Sequence, residues 1–152
     1  MMSEKYKGAT VLVPLKGNST DEDVMRWACS VAKKTRGTIY AVNVVVVKQE
    51  LALETELPEE VANGEKVLEA ASEIAQEFGI EVETGILQAR SAGVAIVEEA
   101  IVRSASLIIM AVTYRNRKGE FNMGKTVPYV LKNAPCRIWM YREELQKDQD
   151  HS

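Results

Sequence analysis

The chain has 152 residues, of which 46% are hydrophobic and 27% charged, with a formal net charge of −3 at pH 7, so it can bury the core of one ordinary globular domain. The mild acidity excludes a broad basic face for nucleic acid, and no apolar run approaches the roughly 18 residues that a membrane-spanning helix needs. We therefore expect one cytoplasmic domain without nucleic-acid binding or membrane insertion.

Strand and helix patterns alternate from the start of the chain. Residues 9–15, ATVLVPL, are rich in β-branched side chains and predict a first strand that ends near Pro14. The acidic run Asp21–Asp23 suits the first turn of a helix, which Gly37 ends. Residues 38–47 contain four consecutive valines and predict a central second strand. The apolar positions spaced for one buried face of this first helix are Val24, Trp27, Ala28 and Val31.

In the middle of the chain, an irregular segment is followed by clear patterns for a helix and a strand. Residues 48–58 are acidic and irregular, and they predict either a flexible connection or a short helix. A second helix begins between Pro58 and Gly64, because this glycine could precede or interrupt it, and it ends at Gly79. Residues 80–87 alternate apolar with acidic side chains, which predicts a half-exposed strand near a sheet edge. The buried face of the second helix is expected to hold Val67, Ala71, Ile74 and Phe78.

Two further helices and strands complete the pattern. Residues 92–103 predict a third helix, and the continuous apolar run Leu107–Met110 is typical of a strand buried on both faces. Thr126 is a suitable N-cap for a fourth helix with Pro128 in its first turn, and residues 136–141 predict the last strand. The positions expected to point inward are Val94, Val97 and Ile101 in the third helix, and Val127, Val130, Leu131 and Ala134 in the fourth.

This alternation predicts the α/β class, with a five-stranded parallel sheet, doubly wound, and helices on both faces. In such sheets ligands bind beyond the carboxyl ends of the strands, where the strand order reverses. The first and fourth strands are the expected neighbours at that point. Pro14 and Lys16 would then lie toward Ala111 and the loop that follows it.

The loop after the fourth strand is basic in an otherwise acidic chain. It carries one acid, Glu120, against four cations, a local balance of +3 where the whole chain has −3. It leads into a helix N-terminus, whose unpaired N–H groups and dipole attract phosphate. We therefore predict an anion site at this place. The four cations are Arg115, Arg117, Lys118 and Lys125.

The residue content excludes several kinds of chemistry. His151 is the only histidine and lies in a polar tail, so we expect neither a metal site nor histidine catalysis. No pair of side chains supplies a nucleophile with its base, so we expect no enzyme, and at most slow, incidental hydrolysis of a phosphate ligand. Cys29 and Cys136 are expected as reduced, buried thiols. Residues 119–126 fit the P-loop pattern, but six residues separate them from Val112, too many for a loop that should follow its strand directly.

Three stretches resemble the universal stress protein family over nearly the whole chain. VLVPLKGN at positions 11–18 is similar to the family's opening strand, and residues 108–126 keep the spacing of its glycine-marked loop. NAPCRIWMY at positions 133–141 is similar to its closing Ala-Pro-Cys and edge strand. The resemblance implies an adenine nucleotide alpha hydrolase-like sheet of strand order 3-2-1-4-5. It implies a domain over residues 1–142 and leaves a charged tail at 143–152.

The resemblance also implies where a nucleotide would bind. Phosphates would lie along Ala111, Tyr114 and the start of the fourth helix, with adenine and ribose near the first and second strands. Lys16 stands where the family usually has aspartate, Ala111 and Tyr114 stand at glycine positions, and Lys125 stands at a serine or threonine position. The cationic side chains near this site could offset the family contacts that are lost at these positions, through charge-assisted hydrogen bonds. The predicted site residues are Pro14, Lys16, Val44, Met110, Ala111, Arg115, Gly124, Lys125 and Thr126.

Two hypotheses of function follow. The first is a homodimeric regulatory domain of the stress response that binds ATP, AMP or another phosphate anion, with Mg²⁺ if the ligand is a triphosphate. The second is a nucleotide-free dimerisation or regulatory module, such as the soluble domain of a larger protein. The last strand is the expected dimer interface, since an edge strand leaves backbone groups unpaired, and the resemblance implies the same edge. In the alternative the chain is a monomer whose tail, residues 142–152, shields this edge. The predicted interface residues are Arg137, Ile138, Trp139, Met140 and Tyr141.

Overall fold

The computed structural model describes residues 7–112 and 124–144. Strands and helices alternate along them without exception, as the sequence predicts. The elements are β1 (Thr10–Pro14), α1 (Asp21–Thr35), β2 (Thr38–Val46), α2 (Pro58–Glu77), β3 (Val82–Ala89), α3 (Ala92–Val102), β4 (Leu107–Ala111), α4 (Thr126–Asn133) and β5 (Arg137–Tyr141).

The strands form one parallel sheet in the order β3-β2-β1-β4-β5, which confirms the predicted order. β1 is the middle strand, where Val11 pairs with Ile39 of β2 and with Leu107 of β4. The short apolar runs of β1 and β4 fit this interior position, because strands covered on both faces need no polar alternation. β3 and β5 lie at the two edges of the sheet.

A hydrophobic core lies on each face of the sheet. Val11 and Val13 pack in one core with the buried faces of α1 and α2. Leu12 packs in the other core with residues of α3 and α4, such as Ile96 and Val130. The division follows from the strand period of two, which sends neighbouring side chains to opposite faces. The predicted doubly wound arrangement is therefore present.

Three positions predicted to be buried are instead at the surface. Trp27 of α1 and Ile101 of α3 are each 58% exposed, and Leu131 of α4 is 50% exposed. In α1 the buried side chains centre on Ala28 and Thr35, and at 3.6 residues per turn Trp27 lies roughly 110° from the centre of that stripe. The spacing of apolar residues shows that a position lies near the apolar face of its helix. It does not show which side of that face packs against the sheet.

The segment between β2 and α2 contains turns rather than a helix. Thr55 N–H donates to the carbonyl oxygen of Ala52 at 3.0 Å. The side chain of Gln88, near the end of β3, donates to the carbonyl oxygens of Leu53 and Thr55, both at 3.0 Å. These contacts hold the segment against the carboxyl end of β3.

Gly64 lies inside α2, so the glycine neither precedes nor interrupts the helix. It is buried, and a β-carbon there would lie 2.6 Å from Asn43 Oδ1 of β2. Asn43 in turn donates from Nδ2 to the carbonyl oxygen of Leu15 at 3.0 Å. Because Gly64 has no side chain, α2 can pack closely against Asn43. The hydrogen bond of Asn43 in turn connects β2 to the end of β1.

Burial makes the Cys29 thiol resistant to ionisation. Both cysteines are free, Cys29 is buried and Cys136 is half-buried. Burial raises the pKa of Cys29 from 9.0 to about 11. Between these values the unfolded chain has lost its proton and the folded chain has not, so stability falls as the pH rises. We expect the free energy of unfolding to fall by about 2 kcal/mol more in the wild type than in Cys29→Ala between pH 8 and 11.

Urea unfolding of both proteins at the two pH values measures this difference. Other groups also titrate in this range, and Cys29→Ala retains them all, so only the difference between the two proteins reports on the thiol. An equal loss of stability in both would contradict the prediction.

Candidate functional site

The crevice predicted from the strand order lies between the carboxyl ends of β1 and β4. β1 ends at Pro14 and β4 ends at Ala111, and the two strands are neighbours. The chain leaves β1 into α1 on one face of the sheet and approaches α4 on the other. Such a reversal leaves an open crevice at the sheet rim. The structure thus places the predicted residues Pro14 and Ala111 at the carboxyl ends of two neighbouring strands.

One wall of this crevice is apolar. Met110 is buried and Val44 is half-buried, and both pack with the core beneath α3 and α4. Pro14 pairs with Val42, which belongs to that same core. Because alternate residues of a strand share a face, Pro14, Val44 and Met110 lie on the α4 side of the sheet. Val44 lies two positions beyond the last β1–β2 pair, where it offers a partly open apolar surface.

The start of α4 lies toward the carboxyl end of the sheet, because α4 follows β4 and leads back to the beginning of the parallel strand β5. Gly124 is exposed with φ +71°, and the exposed Lys125 occupies the N-cap position. Thr126 is the first helical residue, so the prediction of Thr126 as the N-cap was wrong by one position. The first hydrogen bond within the helix runs from Tyr129 N–H to the carbonyl oxygen of Lys125 at 3.3 Å. The amides of Thr126 and Val127 therefore precede the helix's own hydrogen-bond ladder.

The other three helix N-termini are neutralised or capped. α1 begins with three acids, Asp21, Glu22 and Asp23, and α2 carries Glu59 and Glu60 in its first turn. In α3, Ser91 Oγ accepts from Val94 N–H at 3.5 Å. Among the described residues, α4 has neither an acid in its first turn nor a side-chain cap. The first turn of α4 thus lacks the acids that neutralise the starts of α1 and α2.

The loop between β1 and α1 is closed by an acid whose role the sequence analysis missed. Asp21 accepts from Gly17 N–H at 2.7 Å and from Lys16 N–H at 3.3 Å. Burial raises the pKa of Asp21, and the hydrogen bonds from this loop oppose that rise. The spacing of an aspartate four residues after a glycine at a helix start was the available signal. The amides of Lys16 and Gly17 are therefore occupied, whereas the side chain of Lys16 is exposed.

Part of the predicted site lies outside the described residues. This applies to Tyr114, Arg115, Arg117 and Lys118, and to most of the P-loop-like stretch at 119–126. Their proposed contacts stay predictions. Within the described part, the predicted positions on the first, second and fourth strands and at the start of α4 all lie at the same rim of the sheet.

β5 lies at the sheet edge, as predicted. Ile138 and Met140 are half-buried against the core beneath α3 and α4. On the opposite face Trp139 is 42% exposed. Tyr141 Oη donates to Asp23 Oδ2 at 2.7 Å, and this contact raises the pKa of the Tyr141 phenol.

A separate groove lies on the other face of the sheet, between α1 and α2. Its volume is about 540 Å³, and its floor includes Leu15, Met25 and Ile74. Arg26 of α1 reaches across to Glu77 of α2 at 2.8 Å. The groove shares the β1–α1 loop with the crevice but contains none of the predicted nucleotide residues.

Two further observations concern the described residues alone. In ranges 7–112 and 124–144, no three histidine, cysteine or acidic side chains are placed to hold a metal ion together. No helix within that part of the chain has the length and apolar character needed to cross a bilayer.

The sheet order and the rim crevice define a doubly wound α/β domain of the kind that binds its ligands at a topological switch point. The model of the universal stress protein family matches residues 9–142, so the chain belongs to that family. A curated relative is a universal stress protein from Methanocaldococcus jannaschii, 26% identical over 139 residues that cover 88% of this chain and 81% of the relative.

Solved structures share the fold. A universal stress protein from Archaeoglobus fulgidus aligns with a TM-score of 0.73 at 20% identity, covering 87% of this chain and 97% of that one. The universal stress protein from the same organism in complex with dAMP aligns with a TM-score of 0.70 at 19% identity, covering 87% and 96%. A universal stress protein family protein from Arabidopsis thaliana with AMP bound aligns with a TM-score of 0.64 at 14% identity, covering 90% and 92%.

Proposed function

We propose that this chain is a regulatory universal stress protein domain that binds an adenine nucleotide, ATP or AMP, or another phosphate anion in the crevice between β1 and β4. The observation that carries the proposal is the start of α4, which has neither a neutralising acid in its first turn nor a side-chain cap among the described residues. The dAMP and AMP complexes of structurally similar proteins support an adenine nucleotide as the ligand.

The crevice suits the two ends of such a ligand. The amides of Thr126 and Val127 would receive phosphate oxygens, with the Lys125 ammonium beside them. Charge-assisted hydrogen bonds of this kind contribute about 1.5 to 3 kcal/mol each. The half-buried side chain of Val44 would pack against the base. Mg²⁺ would accompany a triphosphate, since it binds chiefly through phosphate oxygens and water.

Binding rather than turnover is the proposed role. The described walls of the crevice are apolar or cationic, and Asp21, the nearest acid of the β1–α1 loop, is engaged by two backbone amides. Among the described residues, a bound phosphate would therefore meet electrostatic stabilisation without a general base to activate water. We expect ATP hydrolysis to be slow and incidental at most.

One observation favours the second candidate, a nucleotide-free regulatory module. Asp21 already occupies the amides of Lys16 and Gly17, and Lys16 supplies a cation where the family's aspartate would accept a hydrogen bond. A ribose would then lack the carboxylate acceptor that the family usually has at this position. The two candidates differ in whether the crevice holds any nucleotide.

Calorimetric titration of the purified protein with AMP, ATP plus Mg²⁺, adenosine and inorganic phosphate tests the proposal. We expect saturable heat with both nucleotides, weakening as salt rises because ion pairs are screened, and much weaker binding of adenosine. Absence of heat with every ligand at high-micromolar concentration would favour the nucleotide-free module. Binding of adenosine as tightly as AMP would remove the phosphate site at α4.

We also propose that the protein acts as a homodimer through β5. The supporting features are the edge position of β5 and the exposed Trp139 on it. Sedimentation velocity of the wild type at micromolar concentration measures the state directly. A monomer at all concentrations would favour the alternative in which the tail shields the edge.

A further inference from the structure

β3 has a row of open backbone hydrogen-bonding groups along its outer edge. Val47, directly after β2, donates its N–H to the carbonyl oxygen of Ala89 at 2.8 Å, so the Ala89 backbone faces β2. In a parallel pair the N–H and C=O of one residue face the same neighbour, and residues alternate along the strand. The backbone groups of Thr84 and Ile86 therefore point away from the sheet. No residue in ranges 7–112 and 124–144 hydrogen-bonds to these outward groups.

A shallow groove of about 520 Å³ lies between this edge and α2. Its apolar lining comes from Val61 and Leu68 of α2 and from Ile86 of β3. Ile86 packs with the core beneath α1 and α2, so Thr84, two positions earlier, also points to the α2 side of the sheet. A strand added to the outward backbone groups would therefore place every second side chain over the groove.

The charged residues that line this groove are two acids of α2, Glu65 and Glu69. Both are exposed, and within the described part of the chain neither forms an ion pair. Like charges four residues apart on a helix repel each other, and a bound cation would relieve that repulsion. On the other face of β3, Glu83 already pairs with Arg103 at 2.6 Å. The uncompensated negative charge beside the edge is therefore on the α2 side.

We propose that β3 binds an extended cationic segment of a partner protein, with Lys or Arg at alternate positions, as a sixth strand of the sheet. Thr84 and Ile86 would share four backbone hydrogen bonds with it. The alkyl stems of its cationic side chains would cover Leu68 and Ile86, while their charged ends reach Glu65 and Glu69. This site is separate from the crevice and from β5, so the inference does not rest on the proposed function.

Two features define the occupant and its extent. A second copy of the chain would bring its own Glu65 and Glu69 toward the same acids, and charged groups beside an edge strand discourage such self-pairing. Toward the carboxyl end of β3, the side chain of Gln88 holds the segment between β2 and α2 through two hydrogen bonds. The docking stretch is therefore 82–87.

Hydrogen exchange followed by NMR tests the pairing directly. The probe is the acetylated and amidated peptide Lys-Thr-Lys-Val-Lys-Thr-Lys, added to the full chain. In the free protein we expect fast exchange at the Thr84 and Ile86 amides, and slow exchange at the Gly85 and Leu87 amides that face β2. Saturating peptide is expected to slow the first two about tenfold or more, because a hydrogen-bonded amide exchanges only when its bond opens.

Two pairs of charge variants test the groove. Glu65→Gln combined with Glu69→Gln is expected to weaken peptide binding roughly fivefold, the effect of losing two exposed ion pairs. The matched control combines Glu73→Gln with Glu98→Gln, which removes the same charge outside this groove. Both of these control residues are exposed. An equal loss of affinity in the two double variants would overturn the site, because it would show attraction to net charge alone.

Thr84→Pro tests the open backbone groups. It removes an outward N–H without removing a hydrogen bond to β2, and proline is tolerated on edge strands in this orientation. We expect loss of peptide binding with an unchanged circular dichroism spectrum. The same peptide with proline in place of its central valine tests the pairing from the other side, and this comparison remains decisive if Thr84→Pro fails to fold.

Three outcomes would overturn the proposal. They are no binding of the probe, binding that leaves the Thr84 and Ile86 amides unprotected, and unchanged affinity for the proline-containing peptide. Protection of these two amides in the free protein that disappears on dilution would instead identify a second copy as the occupant. Nucleotide titration is independent of all these results.

Discussion

Gly37→Ala is expected to lower the free energy of unfolding by about 3 kcal/mol, at the upper end of what overpacking costs. A β-carbon at Gly37 would overlap the carbonyl oxygen of Ala9 and would lie 2.9 Å from Thr35 Oγ1. The Ala9 carbonyl also accepts from Thr38 N–H at 2.9 Å, where β1 and β2 begin to pair. The Ala9 backbone is held by this pairing, so it cannot move aside as a flexible side chain could. Because a domain of this size is stable by only about 5 to 15 kcal/mol, the loss is large.

Gly79→Ala is the matched control for this prediction. Gly79 has φ +68° and no atom within 4 Å of an added β-carbon, so alanine there costs only the strain of a left-handed conformation, about 1 kcal/mol. Urea unfolding of the wild type and both variants gives the comparison. A Gly37→Ala protein no less stable than Gly79→Ala would show that the β1–β2 contact can relax.

Gly124→Val is expected to weaken nucleotide binding at least 100-fold while the fold remains intact. Gly124 has φ +71° and open space around an added β-carbon, so the obstacle is the backbone conformation. A β-branched residue strongly disfavours that conformation, and relaxing it would turn the Thr126 and Val127 amides away from the crevice. Loss of two charge-assisted hydrogen bonds, at about 1.5 kcal/mol or more each, corresponds to roughly a hundredfold in affinity.

The variant Gly124→Asn distinguishes an effect of backbone conformation from an effect of side-chain volume. Asparagine tolerates positive φ far better than valine, so it is expected to keep most of the affinity if the amide directions matter. Calorimetry with AMP gives the affinities, and circular dichroism confirms that each variant is folded. Native affinity in Gly124→Val would remove the phosphate site from the start of α4. Equal loss in both variants would indicate that side-chain volume enters the ligand's space.

Local patterns in the sequence were sufficient for most of the architecture. The apolar run at Leu107–Met110 and the spaced apolar positions of α2 each predict their element, because strand and helix periods express which residues can share a face. The alternation of these elements then restricts the fold to a doubly wound sheet. The family resemblance added the full strand order, which the structure confirms.

What the sequence determined by itself was therefore the kind and order of the elements, and that Pro14 and Ala111 end neighbouring strands. Only the tertiary structure decided that Trp27 is exposed, that Gly64 lies inside α2 against Asn43, and that Asp21 occupies the loop amides. The physical reason is that hydrophobic periodicity and secondary-structure propensity depend on residues that are close together in the chain. Exposure, close approach and hydrogen-bond occupancy depend on which distant segments pack together.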